Sequence, residues 1–121
     1  MKYLVLMADD DPESWNRATE AERQVVMDAH AAFATAVHAR ATMVAGEALE
    51  GVETAVTLRP AATGAARTVT DGPYAETVEQ LGGFYLIEAD DRDTVVDLCR
   101  LLPASYFLEI RPVMSIEGYE D

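Results

Sequence analysis

Apolar positions in residues 2–8 fill both alternating sets, with Tyr3, Val5 and Met7 on one side and Leu4, Leu6 and Ala8 on the other. A strand covered on both faces reads this way. Asp9, Asp10, Asp11 and Pro12 end it in a solvated acidic loop that lacks the spacing of a calcium-binding loop. Thr19 and Glu22 fit a capping box, and a long helix is predicted from there to about Arg40. Val26, His30, Phe33 and Val37 recur at helical spacing, which puts an imidazole on the stripe that faces the sheet. His38 lies about 80° around the helix from His30 and reads as a surface residue.

Residues 42–47 read as a second strand. Residues 54–58 and 66–70 look like a hairpin pair joined by a loop with Pro60 and Gly64, too long to fix the register. Residues 84–89 are a further apolar strand. Asp90 or Asp91 caps a second helix to about Leu102, stopped by Pro103. Residues 106–113 supply the last strand, and Pro112 is expected to leave the ladder there. The tail to Asp121 is polar. Strand, helix, strand, hairpin, strand, helix, strand is the split βαβ order of an α+β, ferredoxin-like sandwich with an inserted β-hairpin. Two helices cover one face of a four-stranded sheet, and the double-sided apolar character of residues 2–8 and 84–89 asks for cover on the other. A second copy of the chain would supply it, giving a homodimer through the sheet face.

At 121 residues and 50% hydrophobic content the chain is expected to form one domain, residues 1–121, with a core that needs no disulfide or metal. No apolar run is long enough to span a membrane, so no membrane partner is expected. The first seven residues are too short for a signal-peptide core and no small-residue cleavage site follows, which makes a cytoplasmic location the expectation. The net charge of −13, with a single lysine, repels phosphate backbones and argues against a nucleic-acid partner. Cys99 lies in an apolar helical pattern and reads as a buried, inert thiol.

Residues 70–84 concentrate backbone-shaping residues and carboxylates. Gly72 can supply positive φ, Pro73 sets the chain direction, and Gly82-Gly83 permits a close backbone approach or a bulge. Asp71 opens an Asp-Gly-Pro turn and is either a turn former or a carboxylate facing a ligand. Tyr74 is expected to fill an apolar pocket. Glu76 and Glu79, three apart, join Asp71 and Glu47 as an anionic group, read as a solvated or subunit-facing cluster; no ligand spacing marks a metal site. No nucleophile triad, Cys/His metal set or dinucleotide fingerprint is present, and no cofactor is called for.

The whole chain resembles the YCII-related family, specifically the subgroup named for its DGPF motif. The likeness rests on Met1-Lys2-Tyr3, on Gly46-Glu47-Ala48-Leu49, on Thr70-Asp71-Gly72-Pro73-Tyr74-Ala75-Glu76-Thr77, on Glu79-Gln80-Leu81-Gly82-Gly83-Phe84-Tyr85-Leu86-Ile87, and on Ile110-Arg111-Pro112-Val113-Met114. Tyr74 replaces the usual Phe, and Val78 stands where Lys is common. The resemblance implies a dimeric α/β barrel. It also implies kinship with small enzymes of the muconolactone isomerase and chloromuconolactone dehalogenase type, in which a helix histidine and a loop aspartate have been proposed as the working pair. His30 and Asp71 are the matching positions. Family members are often encoded beside extracytoplasmic-function sigma factors, which implies a regulatory link as a possible partnership.

Two functions follow as expectations. One is a small-molecule isomerase or lyase with His30 as proton shuttle, Asp71 as its orienting carboxylate, and Tyr74, Glu76 and Glu47 at the ligand. The other is a non-catalytic ligand-binding or regulatory dimer, in which His30 is a core histidine bonded to a backbone carbonyl.

Overall fold

The computed structural model describes residues 1–74 and 81–119. In chain order the elements are β1 (Lys2–Asp9), α1 (Ser14–Arg17), α2 (Glu20–Arg40), β2 (Thr42–Ala48), a 3₁₀ turn (Val52–Thr54), β3 (Val56–Leu58), β4 (Val69–Asp71), β5 (Leu81–Glu88), α3 (Arg92–Cys99) and β6 (Tyr106–Pro112). The fold is mixed α+β. β2, β5, β1 and β6 form a four-stranded sheet in that order, with every neighbouring pair antiparallel. Among the described residues this sheet is open and does not close into a barrel.

The start of α2 follows the sequence closely. The Thr19 hydroxyl accepts from the Glu22 N–H at 3.1 Å, and the Glu22 carboxylate accepts from the Thr19 N–H at 2.8 Å, so two orphan donors are satisfied reciprocally. Asp91 rather than Asp90 caps α3, accepting from the Thr94 N–H at 2.8 Å. Regular helix ends at Cys99, and tighter turns carry the chain on, with Leu102 N–H donating to the Cys99 carbonyl. α1 is a single turn with no apolar periodicity to announce it. Its Ser14 hydroxyl donates to Asp9 at 2.9 Å, and Arg17 pairs with Asp11, so the acidic triplet is partly used to hold this turn.

α2 and α3 lie on one face of the sheet. Phe33 and Val37 of α2 and Val95, Leu98 and Cys99 of α3 are buried against Tyr3, Val5, Met7 and Ile87. Burial of each large side chain contributes about 1.5–3 kcal/mol. On the other face Leu4 and Leu6 pair with Leu86 and Phe84 and remain half-buried, and Phe107, opposite Ala8, is 53% exposed.

The hairpin strands are shorter than the predicted 54–58 and 66–70, and two details of the four-stranded sheet also differ from the sequence reading. β5 begins at Leu81, ahead of residue 84, because the Gly82-Gly83 pair is inside the strand: Met7 pairs with Gly83 and Ala8 with Leu81, leaving Gly82 as the bulged residue. Pro112 stays in the ladder opposite Tyr3, and the next residue, Val113, still donates to the Lys2 carbonyl at 2.9 Å. β6 is an edge strand, where a missing N–H costs no ladder bond.

The inserted hairpin is a separate two-stranded ribbon, β3 with β4, in the register Val56 with Asp71 and Leu58 with Val69. It ends at Gly72, whose φ of +96° belongs to the left-handed region open to glycine. Val56, Leu58 and Val69 stand exposed on one side of the ribbon. No helix of the described residues is long and apolar enough to cross a membrane.

Candidate active site

The site is set by the point at which α2 leaves the sheet. Phe33 and Val37 are fully buried, whereas none of the residues from Glu20 to Ala29 is. His30 is at the changeover and is half-buried. Its partners come from the strands below. Tyr85 in β5 shares the face of buried Ile87, and Tyr106 in β6 shares that of Leu108 and Ile110. His30 Nδ1 lies 2.7 Å from the Tyr85 hydroxyl, and His30 Nε2 lies 3.1 Å from the Tyr106 hydroxyl. Both rings tilt against the imidazole, at centroid distances of 5.9 and 5.7 Å.

Tyr85 is held from two further sides. The Phe33 ring packs against it at 4.8 Å, and Gly46 of β2 lies directly across the sheet from it. A Cβ at position 46 would come within 2.5 Å of Tyr85 Cδ1. The glycine makes room for the ring. Tyr106 pairs with Asp9 at the end of β1, and its N–H donates to the Pro103 carbonyl at 3.1 Å.

Burial pushes the His30 pKa below its ordinary value and raises both tyrosines, with the Asp9 charge raising Tyr106 further. Imidazole is therefore favoured in its neutral form and both phenols keep their protons. A neutral imidazole has one bare nitrogen and one N–H. One tyrosine donates to the bare nitrogen while the other accepts from the N–H. When a proton arrives, both ring nitrogens donate and both tyrosines accept. Neither charge state leaves a nitrogen unpartnered, so protonation costs desolvation and no hydrogen bond.

The residues singled out in the sequence are dispersed. Within the chain the ring nitrogens of His30 are taken by tyrosine hydroxyls rather than by Asp71, and by side chains rather than by a backbone carbonyl. Asp71 sits exposed in the ribbon. Tyr74 is 81% exposed and fills no apolar pocket among the described residues. Glu47 is exposed in β2 opposite Phe84, on the open side of the sheet. Glu76 and Glu79 lie outside the described residues. Tyr85 and Tyr106 are the residues that sequence reasoning passed over. The available signal was their parity, since each alternates with apolar core positions that face the same helix as His30. Two surface depressions, of about 360 and 440 Å³, include Met1 at the far end of β1 and do not contain His30. Among the described residues no group of three or more His, Cys, Asp or Glu side chains is placed to hold a metal ion.

Residues 1–117 match the family of the YCII-related domain. The chain is also similar to an uncharacterised protein of Rhizobium meliloti (strain 1021), with 34% identity over 117 residues, covering 93% of this chain and 92% of the relative.

Proposed function

Because the chain belongs to the YCII-related family, we propose that it acts on a small molecule by proton transfer, as an isomerase or lyase, with His30 as the proton carrier. The observation that carries this reading is the pairing of both His30 nitrogens with tyrosine hydroxyls in a half-buried setting. A histidine kept neutral by burial is ready to accept a proton at neutral pH. Tyr85 and Tyr106 hold the ring in place and suit either tautomer, whereas the Asp71 carboxylate expected on sequence grounds would select one. They also connect the ring to whatever lies beyond them, because a change of tautomer exchanges donor and acceptor along the chain.

The strand order supports the ferredoxin-like reading, and the sequence of the Asp71-Gly72-Pro73-Tyr74 turn supports the subgroup. In this proposal two open sheets meet through Leu4, Leu6, Phe84, Leu86 and Phe107. The exposed apolar side of the ribbon supports the same dimer, since a two-stranded ribbon alone is at best marginally stable in water. Asp71, Tyr74 and Glu47 then contact ligand only where the second subunit completes the site.

The test uses a library of carbonyl and lactone metabolites, screened by thermal shift. Hits are followed by proton NMR in deuterated water. The expected outcome is exchange of a carbon-bound proton that is lost in His30→Gln while the variant stays folded. Ligand stabilisation that survives in His30→Gln defeats the site. Binding that needs His30 but never exchanges a proton would identify a non-catalytic ligand-binding dimer instead.

A further inference from the structure

The donors and acceptors of the cluster, and the charges around it, restrict what it can hold. In the neutral state one tyrosine has given its O–H to the imidazole and offers only oxygen lone pairs outward. The other has accepted the imidazole N–H and still has its own hydrogen to donate. The two hydroxyls lie on opposite sides of the ring, so the two oxygens of one carboxylate do not span them.

The charge nearest along the sheet is negative. Asp9 stands directly opposite Tyr106, and its own oxygens are already bonded by the Asp11 N–H and the Ser14 hydroxyl. The arginine that follows this loop offsets Asp11 and leaves Asp9 and Asp10 in excess, and the other cations lie or are engaged away from it. Arg17 pairs with Asp11, while Arg23 lies over the Trp15 ring and donates to the Trp15 carbonyl. Arg40 and Arg100 pair with Asp97, and Arg111 pairs with Glu109 on the open side of the sheet. Arg59 and Arg67 belong to the hairpin segment, Arg92 begins α3, and Lys2 is at the opposite end of β1 from Asp9. Residues 75–80, outside the described residues, contain no lysine or arginine.

We infer that the His30–Tyr85–Tyr106 cluster takes an uncharged ligand offering a hydrogen-bond donor at one end and a carbonyl-type acceptor at the other, and that it discriminates against carboxylates. The inference rests on the small-molecule reading above and names the ligand class for that site. An anion there would meet the Asp9 carboxylate in a loop of three carboxylates served, among the described residues, by one arginine, at a half-buried site where charge is less screened than in water. A neutral molecule with a hydroxyl or N–H at one end and a carbonyl at the other satisfies both phenols at once.

Two probes of the same size separate the cases: 4-hydroxybenzamide, which is neutral, and 4-hydroxybenzoate, which is an anion at neutral pH. The ring resonances of His30 in the full chain report binding, with thermal shift as a second readout. The amide is expected to bind at least tenfold more tightly, a difference of about 1.4 kcal/mol. In Asp9→Asn, which keeps an amide oxygen for the Asp11 N–H, the preference is expected to shrink several-fold. Equal or tighter binding of the benzoate to the unmodified chain overturns the ligand class while leaving the site in place. A preference unchanged in Asp9→Asn overturns the electrostatic cause. If neither compound moves the His30 resonances at millimolar concentration, the inference fails, and the proton-exchange experiment decides the broader reading separately.

Discussion

Tyr85 and Gly46 face one another across β5 and β2 so closely that the aromatic ring occupies the space a side chain at position 46 would need. The ring that is accommodated there is the one bonded to His30 Nδ1 at 2.7 Å. A backbone feature of one strand thus sets the position of a hydroxyl on the next.

Gly46→Ala is expected to push the Tyr85 ring aside and break its bond to His30. Overpacking of this kind costs roughly 1–3 kcal/mol, part of which is offset by the lower conformational freedom of alanine. Urea denaturation checks the stability, and the His30 ring resonances check the bond. A variant as stable as the parent with unmoved resonances would show that the close approach is not a constraint.

The pH dependence follows from burial of His30. Its folded pKa lies below the ordinary 6.5, so the unfolded chain takes up the proton first as pH falls. The stability that neutral His30 contributes is complete above 6.5 and is lost as pH drops through the lowered folded value. In paired urea titrations between pH 8 and 5, the parent should lose stability relative to His30→Gln on the acid side. A difference that grows in the opposite direction would mean that a negative charge governs this imidazole.

Leu6 pairs with Phe84 and Glu109 on the open face of the sheet, so Leu6→Arg places a charge where the second subunit is proposed to sit. The parent chain is expected to be dimeric by light scattering at micromolar concentration and the variant monomeric, with unchanged far-ultraviolet circular dichroism. A monomeric parent ends the dimer proposal.

Cys99 is buried in α3, and desolvation pushes its thiol up to about 11. At pH 8 its alkylation should be slower in the native chain than in denaturant by roughly a hundredfold or more, because thiolate is the reactive form. Comparable rates in the two states would place the thiol at the surface.

Thr19→Ala removes one half of the capping box at the start of α2 and should cost about 1 kcal/mol. The first turns of α2 contain no buried residue to compensate. Amide exchange of residues 20–24 should quicken in the variant, whereas exchange near Phe33 should change only with global stability.

Sequence by itself settled the elements that local rules govern. The Thr19–Glu22 capping box, the Val26–His30–Phe33–Val37 stripe, an aspartate cap at position 90 or 91, the apolar strands and the positive φ of Gly72 each depend on residues a few positions apart, where dihedral preference and periodicity suffice. The buried state of Cys99 followed from the same periodicity. What only the tertiary structure decided is who meets whom. His30 finds Tyr85 and Tyr106 fifty-five and seventy-six residues away, on strands whose register is set by pairing with β1 and by the bulge at Gly82. A one-residue slip in that register would turn either hydroxyl to the opposite face; apolar alternation fixes each tyrosine's parity, but which strands come to lie beneath His30 is decided only by the packed sheet. Asp71 drew attention in the sequence because its turn is distinctive, yet turn chemistry shapes backbone near itself. It does not carry a carboxylate to an imidazole on another element. That pairing is a property of the packed sheet and helix, in which parity and register brought two unremarked tyrosines to His30.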